Sequence, residues 1–217
     1  MRNPARSLVA ALAVLALAGC GSASEPSDPA GVDALVIPTP DPDPADFVDH
    51  VDNPWFPLEP STTRRYDGPS ASSVSISTTV EPGGEVDGVP TTVLVRTVRG
   101  EAPVRDHYAQ DRAGNVWWFG RDGEWAAGVD GAEAGLLMPA RPRVGDGYRT
   151  VLAPGFDEVA RVTAVGEAVV VPLGEYRDTV VLERTIGGVT RQEVYARGIG
   201  LVRTGETGLA VVDEPRS

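Results

Sequence analysis

The amino-acid sequence predicts a mostly β protein with a single antiparallel meander sheet, strongly curved into a half-barrel or sandwich-like form, and a long loop over one end. Three observations lead to this fold class. The 217 residues include 25 glycines and 19 prolines, which favour tight turns. Eleven short segments alternate between apolar and polar residues, as half-buried strands do. Turn signals such as Asp-Gly and Gly-Gly separate nearly all of them.

The N-terminal twenty residues have the layout of an export signal. Arg2 and Arg6 precede an uncharged apolar run of twelve residues, which is too short to span a membrane. The run ends in Leu-Ala-Gly-Cys, and this pattern is typical of a lipobox whose cysteine, Cys20, is acylated and becomes the mature N-terminus. We therefore expect residues 1–20 to be a lipoprotein signal peptide. The alternative is an ordinary secretory peptide that happens to contain a cysteine.

The remainder of the chain is divided into a tether and one domain. Residues 21–45 are rich in proline, aspartate and serine and predict an extended, solvated tether, whereas residues 46–214 predict a single β-rich domain. Cys20 is the only cysteine, so no disulfide can form within the chain. The net charge of −12 argues against binding to nucleic acid. The expected contact with the membrane is through acyl groups on Cys20, at its extracytoplasmic face.

The domain begins with two aromatic residues between prolines, Trp55 and Phe56, which we expect to plug one end of the sheet. The alternating segments follow, and each predicts a strand. They are residues 74–80, 91–98, 104–110, 116–119, 148–152, 159–165, 168–171, 179–186, 190–196, 201–204 and 209–212.

A central hairpin contains two consecutive tryptophans. Asp111 and Gly114 are suited to the turn, with Asp111 at its first position and Gly114 in the left-handed conformation. Strand alternation then places Trp118 on one face of the second arm and Trp117 on the other, so both faces must be covered. We interpret the aromatic residues mainly as core, with contact between a ligand and one tryptophan as the alternative.

Residues 132–147 are the one long irregular stretch that the sequence predicts. Leu136, Leu137 and Met138 are expected to be buried, while Pro139 and Pro142 prevent a helix from continuing. We expect this stretch to be a loop folded over an open end of the sheet, and a ligand-site mouth to lie there.

Several motifs together resemble an uncharacterised family of bacterial secreted proteins and lipoproteins. They are NPWFPL near the start of the domain, AQDRAGNVWWFG in its middle and YARGIGLV near its end, and the similarity spans about residues 47–212. The last two motifs resemble, more distantly, β-rich periplasmic proteins with a curved half-barrel sheet. Arg121 and Trp118 depart from the family pattern, in which an acid and a tyrosine are commoner. The resemblance implies a fold type but no activity.

Two histidines have carboxylates near them in the sequence. His50, Asp52, His107 and Asp111 are chemically able to form a hydrolytic metal site, because zinc accepts nitrogen and carboxylate ligands together. No metalloprotease or serine-hydrolase motif is present, however. The sequence therefore assigns no catalytic residue, metal ligand or cofactor.

We expect a membrane-anchored extracytoplasmic lipoprotein that acts as a non-catalytic binding or interaction module. Its partner is expected to be an apolar small ligand or another envelope protein. The candidate ligand-facing residues are Trp55, Phe56, Trp117, Trp118 and Met138. The alternative is an envelope hydrolase that uses the four histidine and aspartate residues above.

Overall fold

The computed structural model describes residues 36–37, 43–70 and 73–215. The predicted signal peptide, Cys20 and most of the predicted tether lie outside these residues. The described part is almost entirely β-structure, with one 3-10 turn (Pro44–Asp46). Within it, no helix is both long and apolar enough to cross a membrane.

The described residues form seventeen strands. In chain order these are β1 (Val36–Ile37), β2 (Phe47–Val48), β3 (Thr63–Asp67), β4 (Ser75–Val86), β5 (Val89–Val98), β6 (Val104–Asp111), β7 (Val116–Arg121), β8 (Trp125–Ala126), β9 (Glu133–Met138), β10 (Gly147–Ala153), β11 (Phe156–Val165), β12 (Val169–Val171), β13 (Gly174–Tyr176), β14 (Thr179–Ile186), β15 (Val189–Ala196), β16 (Gly200–Thr204) and β17 (Thr207–Asp213).

Twelve of these strands close into an antiparallel barrel. Each pairs with the next long strand along the chain, in the order β3-β4-β5-β6-β7-β9-β10-β11-β14-β15-β16-β17. The last strand then pairs with the first, with Leu209 beside Tyr66. The predicted meander is confirmed, but the prediction of an open half-barrel or sandwich is wrong, because the β17–β3 pairing leaves the sheet without an open side.

Five short strands pair with the barrel or cover it. β2 extends the sheet beside β6, and β8 pairs with the end of β7. β1, within the predicted tether, pairs in parallel with β10. The small β12–β13 hairpin places Val169 and Val171 against Val181, Val194 and Val202. These segments remove apolar surface of the barrel from water.

The turn between β6 and β7 has the predicted chemistry. Gly114 has a φ of 88°, and its N–H donates to the Asp111 carbonyl at 2.9 Å. The Asp111 carboxylate accepts a hydrogen bond from the Asn115 N–H at 2.9 Å. In contrast, the Gly-Gly turn signal at Gly83 and Gly84 forms a bulge within β4, where the register shifts between Pro82 and Glu85.

The prediction of a long irregular loop over residues 132–147 is wrong. Residues 133–138 are strand β9, which pairs with both β7 and β10. Gly135 allows this close pairing, because a Cβ there would lie 2.3 Å from the Thr150 carbonyl carbon. Leu136, Leu137 and Met138 are buried as predicted. Pro139 ends the strand, and the irregular stretch is confined to residues 139–146, which connect β9 to β10.

One end of the barrel is closed by the segment that contains Trp55 and Phe56, as predicted. The Asn53 amide donates to the Gly114 and Pro139 carbonyls, and the Gly198 N–H donates to the Pro54 carbonyl at 2.6 Å. These three partners lie in three different inter-strand connections at the same end of the barrel. We call this the plugged end. The prediction of a ligand-site mouth near residues 132–147 is therefore also wrong, because the β9–β10 connection lies at the plugged end.

Candidate functional site

The barrel encloses a cavity of about 450 Å³. Small-molecule sites in proteins are typically concave and of about 300–1,000 Å³. Residues at alternate positions of the strands form its wall, as expected when one face of every strand points inward. The wall consists of Phe56, Tyr66, Ile76, Thr78, Leu94, Arg96, Asp106, Tyr108, Trp118, Arg121, Leu137, Phe156, Glu158, Arg184, Ile186, Val189, Arg191, Glu193, Tyr195, Leu201 and Thr204.

Aromatic side chains occupy part of the wall near the plug, the segment that contains Trp55 and Phe56. Phe56 packs edge-on against Tyr108, with ring centroids 5.1 Å apart, and lies 6.2 Å from Tyr195. Tyr108 is 6.5 Å from Trp118 on the neighbouring strand. Such contacts hold large flat apolar surfaces in fixed positions. The plug segment therefore contributes directly to the cavity through Phe56.

A largely buried arginine forms the centre of a charged network in the wall. Arg184 contacts the carboxylates of Glu158 and Glu193 on the two neighbouring strands. Glu158 also accepts a hydrogen bond from Thr150, at 2.7 Å, and Glu193 accepts one from the Tyr195 hydroxyl, at 2.7 Å. Burial disfavours the charge of Arg184, but Glu193 and the neighbouring tyrosines together outweigh this effect and raise the pKa of Arg184. The guanidinium is therefore permanently charged.

A second ion pair lies in the same wall. Arg121 donates from Nε and Nη2 to the two carboxylate oxygens of Asp106, at 2.7 and 3.2 Å. Its guanidinium also lies 5.0 Å from the centre of the Trp118 ring, a cation–π contact. This pair fixes the Trp118 ring in the cavity wall.

The buried tyrosines of the wall stay protonated. Burial raises the pKa of Tyr108 and Tyr195, and negative charge on Asp106 or Glu193 raises it further. Burial likewise raises the pKa of Tyr66 to about 12. The Tyr66 hydroxyl donates to the Leu201 carbonyl, at 3.1 Å. All three side chains are therefore hydrogen-bond donors at neutral pH.

The end of the barrel opposite the plug is its open end. The β14–β15 hairpin contributes Ile186, which is 53% exposed, and Val189, which is 68% exposed. Both residues belong to the cavity wall, so the wall reaches solvent there. Arg191 is also exposed, and Arg96 on β5 is half-buried. The mouth therefore combines apolar and cationic side chains.

The structure places the five predicted ligand-facing residues in three environments. Phe56 and Trp118 belong to the cavity wall. Trp117 lies on the outer face, 6.5 Å from Phe47, and its indole N–H donates to Asp111 at 2.9 Å. Trp55 lies in the plug, under the Arg197 guanidinium, and Met138 is fully buried in the core.

The structure places the His50 Nε2 3.5 Å from the Asp52 carboxylate but does not bring all four predicted polar residues together. His50 pairs with Asp49 at 2.9 Å, and this hydrogen bond raises the pKa of His50. Asp52 accepts from Gln110, Asp111 from Asn115 and Trp117, and His107 contacts Thr91 and Asp122. In the described ranges, no group of three or more His, Cys, Asp or Glu side chains is arranged to hold a metal ion.

Thr91, His107 and Asp122 form a chain in the order of a catalytic triad. The His107 Nδ1 lies 3.1 Å from the Thr91 hydroxyl, and its Nε2 lies 2.8 Å from Asp122. A shallow pocket of about 370 Å³ is adjacent. The Thr91 hydroxyl donates to the Gly84 carbonyl at 2.7 Å and is buried, however. These contacts stabilise the β4 bulge and leave no free nucleophile.

Sequence reasoning missed the buried or largely buried charges at Glu158, Arg184 and Glu193. Each lies two positions along its strand from a buried residue, Ala160, Leu182 or Tyr195 respectively. Residues two apart point to the same face of a sheet. A charged residue two positions from a buried apolar residue on the same strand is therefore the sequence signal that identifies such inward-facing charges.

Comparisons with known proteins add no further information about the site. The chain matches no protein-family model, and neither the curated proteins nor the solved structures include a significant match. The resemblance to a family of secreted proteins and lipoproteins stays a prediction.

Proposed function

We propose that the protein is a lipid-anchored, extracytoplasmic binding protein whose barrel holds a small amphipathic molecule. The observation that carries this proposal is the cavity of about 450 Å³ inside the barrel, which has aromatic walls and a mouth at the open end. Its role is non-catalytic: it retains and presents a ligand.

The composition of the wall supports binding rather than simple core packing. A barrel that only stabilises itself fills its interior with apolar side chains at high density. This wall instead keeps three carboxylates and four arginines beside aromatic rings. Buried ion pairs contribute little net stability, because desolvation offsets their attraction. A mixed lining of this kind is typical of sites that recognise a partly polar ligand.

The N-terminal sequence supports the anchor. A short apolar run that ends in Leu-Ala-Gly-Cys predicts acylation of Cys20. The acidic residues of the tether favour an extended chain between the acyl groups and the barrel. In a Cys20→Ala variant, we expect an unprocessed precursor or release into the medium, measured by membrane fractionation and by mass spectrometry of the N-terminus. A fatty-acylated, membrane-bound form of that variant would contradict the anchor.

Filling the cavity tests the binding function. Ile76 lies half-buried in the wall, so Ile76→Trp places a larger side chain in the space that a ligand needs. The matched control is Val170→Trp, because Val170 is 74% exposed on the β12–β13 hairpin. Each protein is purified, its fold is verified by circular dichroism, and it is titrated with the neutral fluorescent probe Nile red.

We expect the wild type and Val170→Trp to bind one equivalent of probe, and Ile76→Trp to bind at least about tenfold more weakly, a difference of roughly 1.4 kcal/mol. Organic extraction of the wild type, followed by mass spectrometry, is expected to identify a small molecule that is depleted in Ile76→Trp. Equal binding by all three proteins would show that the probe does not occupy the cavity, and the proposal would be abandoned.

A further inference from the structure

The acidic and the basic side chains of the cavity wall differ in how many partners they have within the protein. The three carboxylates, Asp106, Glu158 and Glu193, all accept hydrogen bonds from arginine, threonine or tyrosine side chains. Arg121 and Arg184 are the arginines that pair with them. Every acidic group of the wall therefore already has a partner within the protein.

The donors of the wall are not all used. Across the part of the chain that the structure describes, Arg96 and Arg191 have no ion-pair partner. The Arg184 Nε is buried without a hydrogen-bond partner. The Tyr108 hydroxyl also has none among the described residues, and burial raises the pKa of Tyr108, so the group remains an O–H donor. The free polar groups of the wall are thus donors.

The net charge of the wall has the opposite sign to that of the protein. Four arginines face three carboxylates, which leaves one positive charge in excess, whereas the whole chain carries −12. The acidic exterior repels anions at long range, and salt screens this repulsion over roughly 8–10 Å. Inside the barrel, the excess positive charge attracts anions at short range. Anions that also make apolar contacts with the wall are therefore bound in preference to small inorganic anions.

We propose that the ligand of the cavity is an organic anion, with an apolar part and one carboxylate, sulfate or phosphate group. This inference rests on the proposed binding function. The apolar part contacts the aromatic wall formed by Phe56, Tyr108, Trp118 and Tyr195. The acidic group accepts hydrogen bonds from Arg96 and Arg191 near the mouth, where a charged group also keeps part of its hydration.

The test compares two ligands that differ in one group. Sodium dodecanoate and dodecanol have the same chain, but only the first is ionised at neutral pH. Each is titrated, below its aggregation concentration, against the complex of the protein with Nile red. We expect dodecanoate to displace the probe at about tenfold lower concentration than dodecanol, because charge-assisted hydrogen bonds strengthen its binding.

The variants Arg191→Gln and Arg96→Gln are expected to remove this preference, and Arg96→Lys to keep most of it. The control is Arg141→Gln, because Arg141 is exposed in the β9–β10 connection and does not belong to the cavity wall. Arg191 is exposed, so its replacement tests the site without disturbing the core.

The outcomes separate this inference from the proposed function. If both ligands displace the probe equally from the wild type, the anion preference is overturned while the binding function stands. If dodecanoate is preferred but the Arg191 and Arg96 variants keep that preference, the assignment of the anion site to these two arginines is overturned while the binding function stands. If neither ligand displaces the probe and the probe itself does not bind, both proposals are overturned.

Discussion

The two faces of the β6–β7 hairpin bury consecutive tryptophans in different ways. Trp117, on the outer face, packs against Phe47 and donates its indole N–H to Asp111. Trp118, on the inner face, lies beside Tyr108 and under the Arg121 guanidinium, in the wall of the cavity. Both side chains are at least 96% buried. The degree of burial therefore does not distinguish a residue that completes the core from one that surrounds a cavity.

The difference lies in what covers each face. The outer face of this hairpin is covered by β2, whose Phe47 packs against Trp117 and Phe119. The inner face leaves open space and keeps charged groups. The outer contacts stabilise the barrel, whereas the inner charges are tolerated because each carboxylate has a partner. Three variants test this division of roles.

The largest effect is expected from Arg184→Met. This change leaves Glu158 and Glu193 buried without their guanidinium partner, which costs roughly 3–5 kcal/mol of the free energy of unfolding. Chemical denaturation measures the loss. The matched control is Arg197→Met, because Arg197 pairs with Asp178 at an exposed site and should cost about 1 kcal/mol or less. Similar losses for both variants would contradict the importance of the inner network.

Alkaline pH is expected to lower the free energy of unfolding, because the tyrosines of the inner face ionise more easily in the unfolded state. Below pH 10, Tyr66 is protonated in both the folded and the unfolded states, so it causes no pH dependence. As the pH rises from 10 towards the folded pKa of about 12, the unfolded state ionises first, and this ionisation lowers the free energy of the unfolded state. The stability contributed by neutral Tyr66 is then lost, up to about 3 kcal/mol.

Tyr66→Phe isolates this contribution. At neutral pH the variant should be less stable by about 1 kcal/mol, because the hydrogen bond to the Leu201 carbonyl is lost. Between pH 10 and 12 its stability should fall less steeply than that of the wild type. The control is Tyr176→Phe, since Tyr176 lies half-buried on the outer hairpin. Parallel pH profiles for the wild type and Tyr66→Phe would show that Tyr66 is solvated.

The smallest effect is expected from Phe47→Leu on the outer face. Leucine keeps the strand apolar but removes two edge-to-face ring contacts, with Trp117 and Phe119, and costs about 1–2 kcal/mol. Because these contacts lie outside the barrel, binding of Nile red should not change. A loss of binding without global unfolding would show that the two faces are coupled.

The sequence was sufficient for most strands but not for the closure of the sheet. All eleven predicted segments are strands, and ten of them belong to the barrel. The two missed barrel strands are β3 and β9. β3 has the sequence TRRYD, in which Arg64 is buried, so its inner face does not look apolar. β9 has no polar alternation and is followed by proline. Without these strands, a predicted sheet stays open.

The candidate site was predictable only in part. Trp118 and Phe56 stood out as aromatic residues near turn and proline signals, and both line the cavity. Arg184 and Glu193 did not, because a charged residue on an alternating strand ordinarily indicates the solvent face. Their burial depends on the barrel closing around them, which is a property of the whole sheet. The position of the open end likewise depended on recognising β9.

The pairing of β3 with β17 also sets the order of assembly. These two strands lie near opposite ends of the folded chain, with Tyr66 beside Leu209. Until β17 has paired with β3, the incomplete sheet presents two edges with unpaired backbone N–H and C=O groups, which are prone to pair with other chains. Joining such distant segments also makes folding slow. The newly made polypeptide is thus vulnerable to aggregation until β17 has paired with β3.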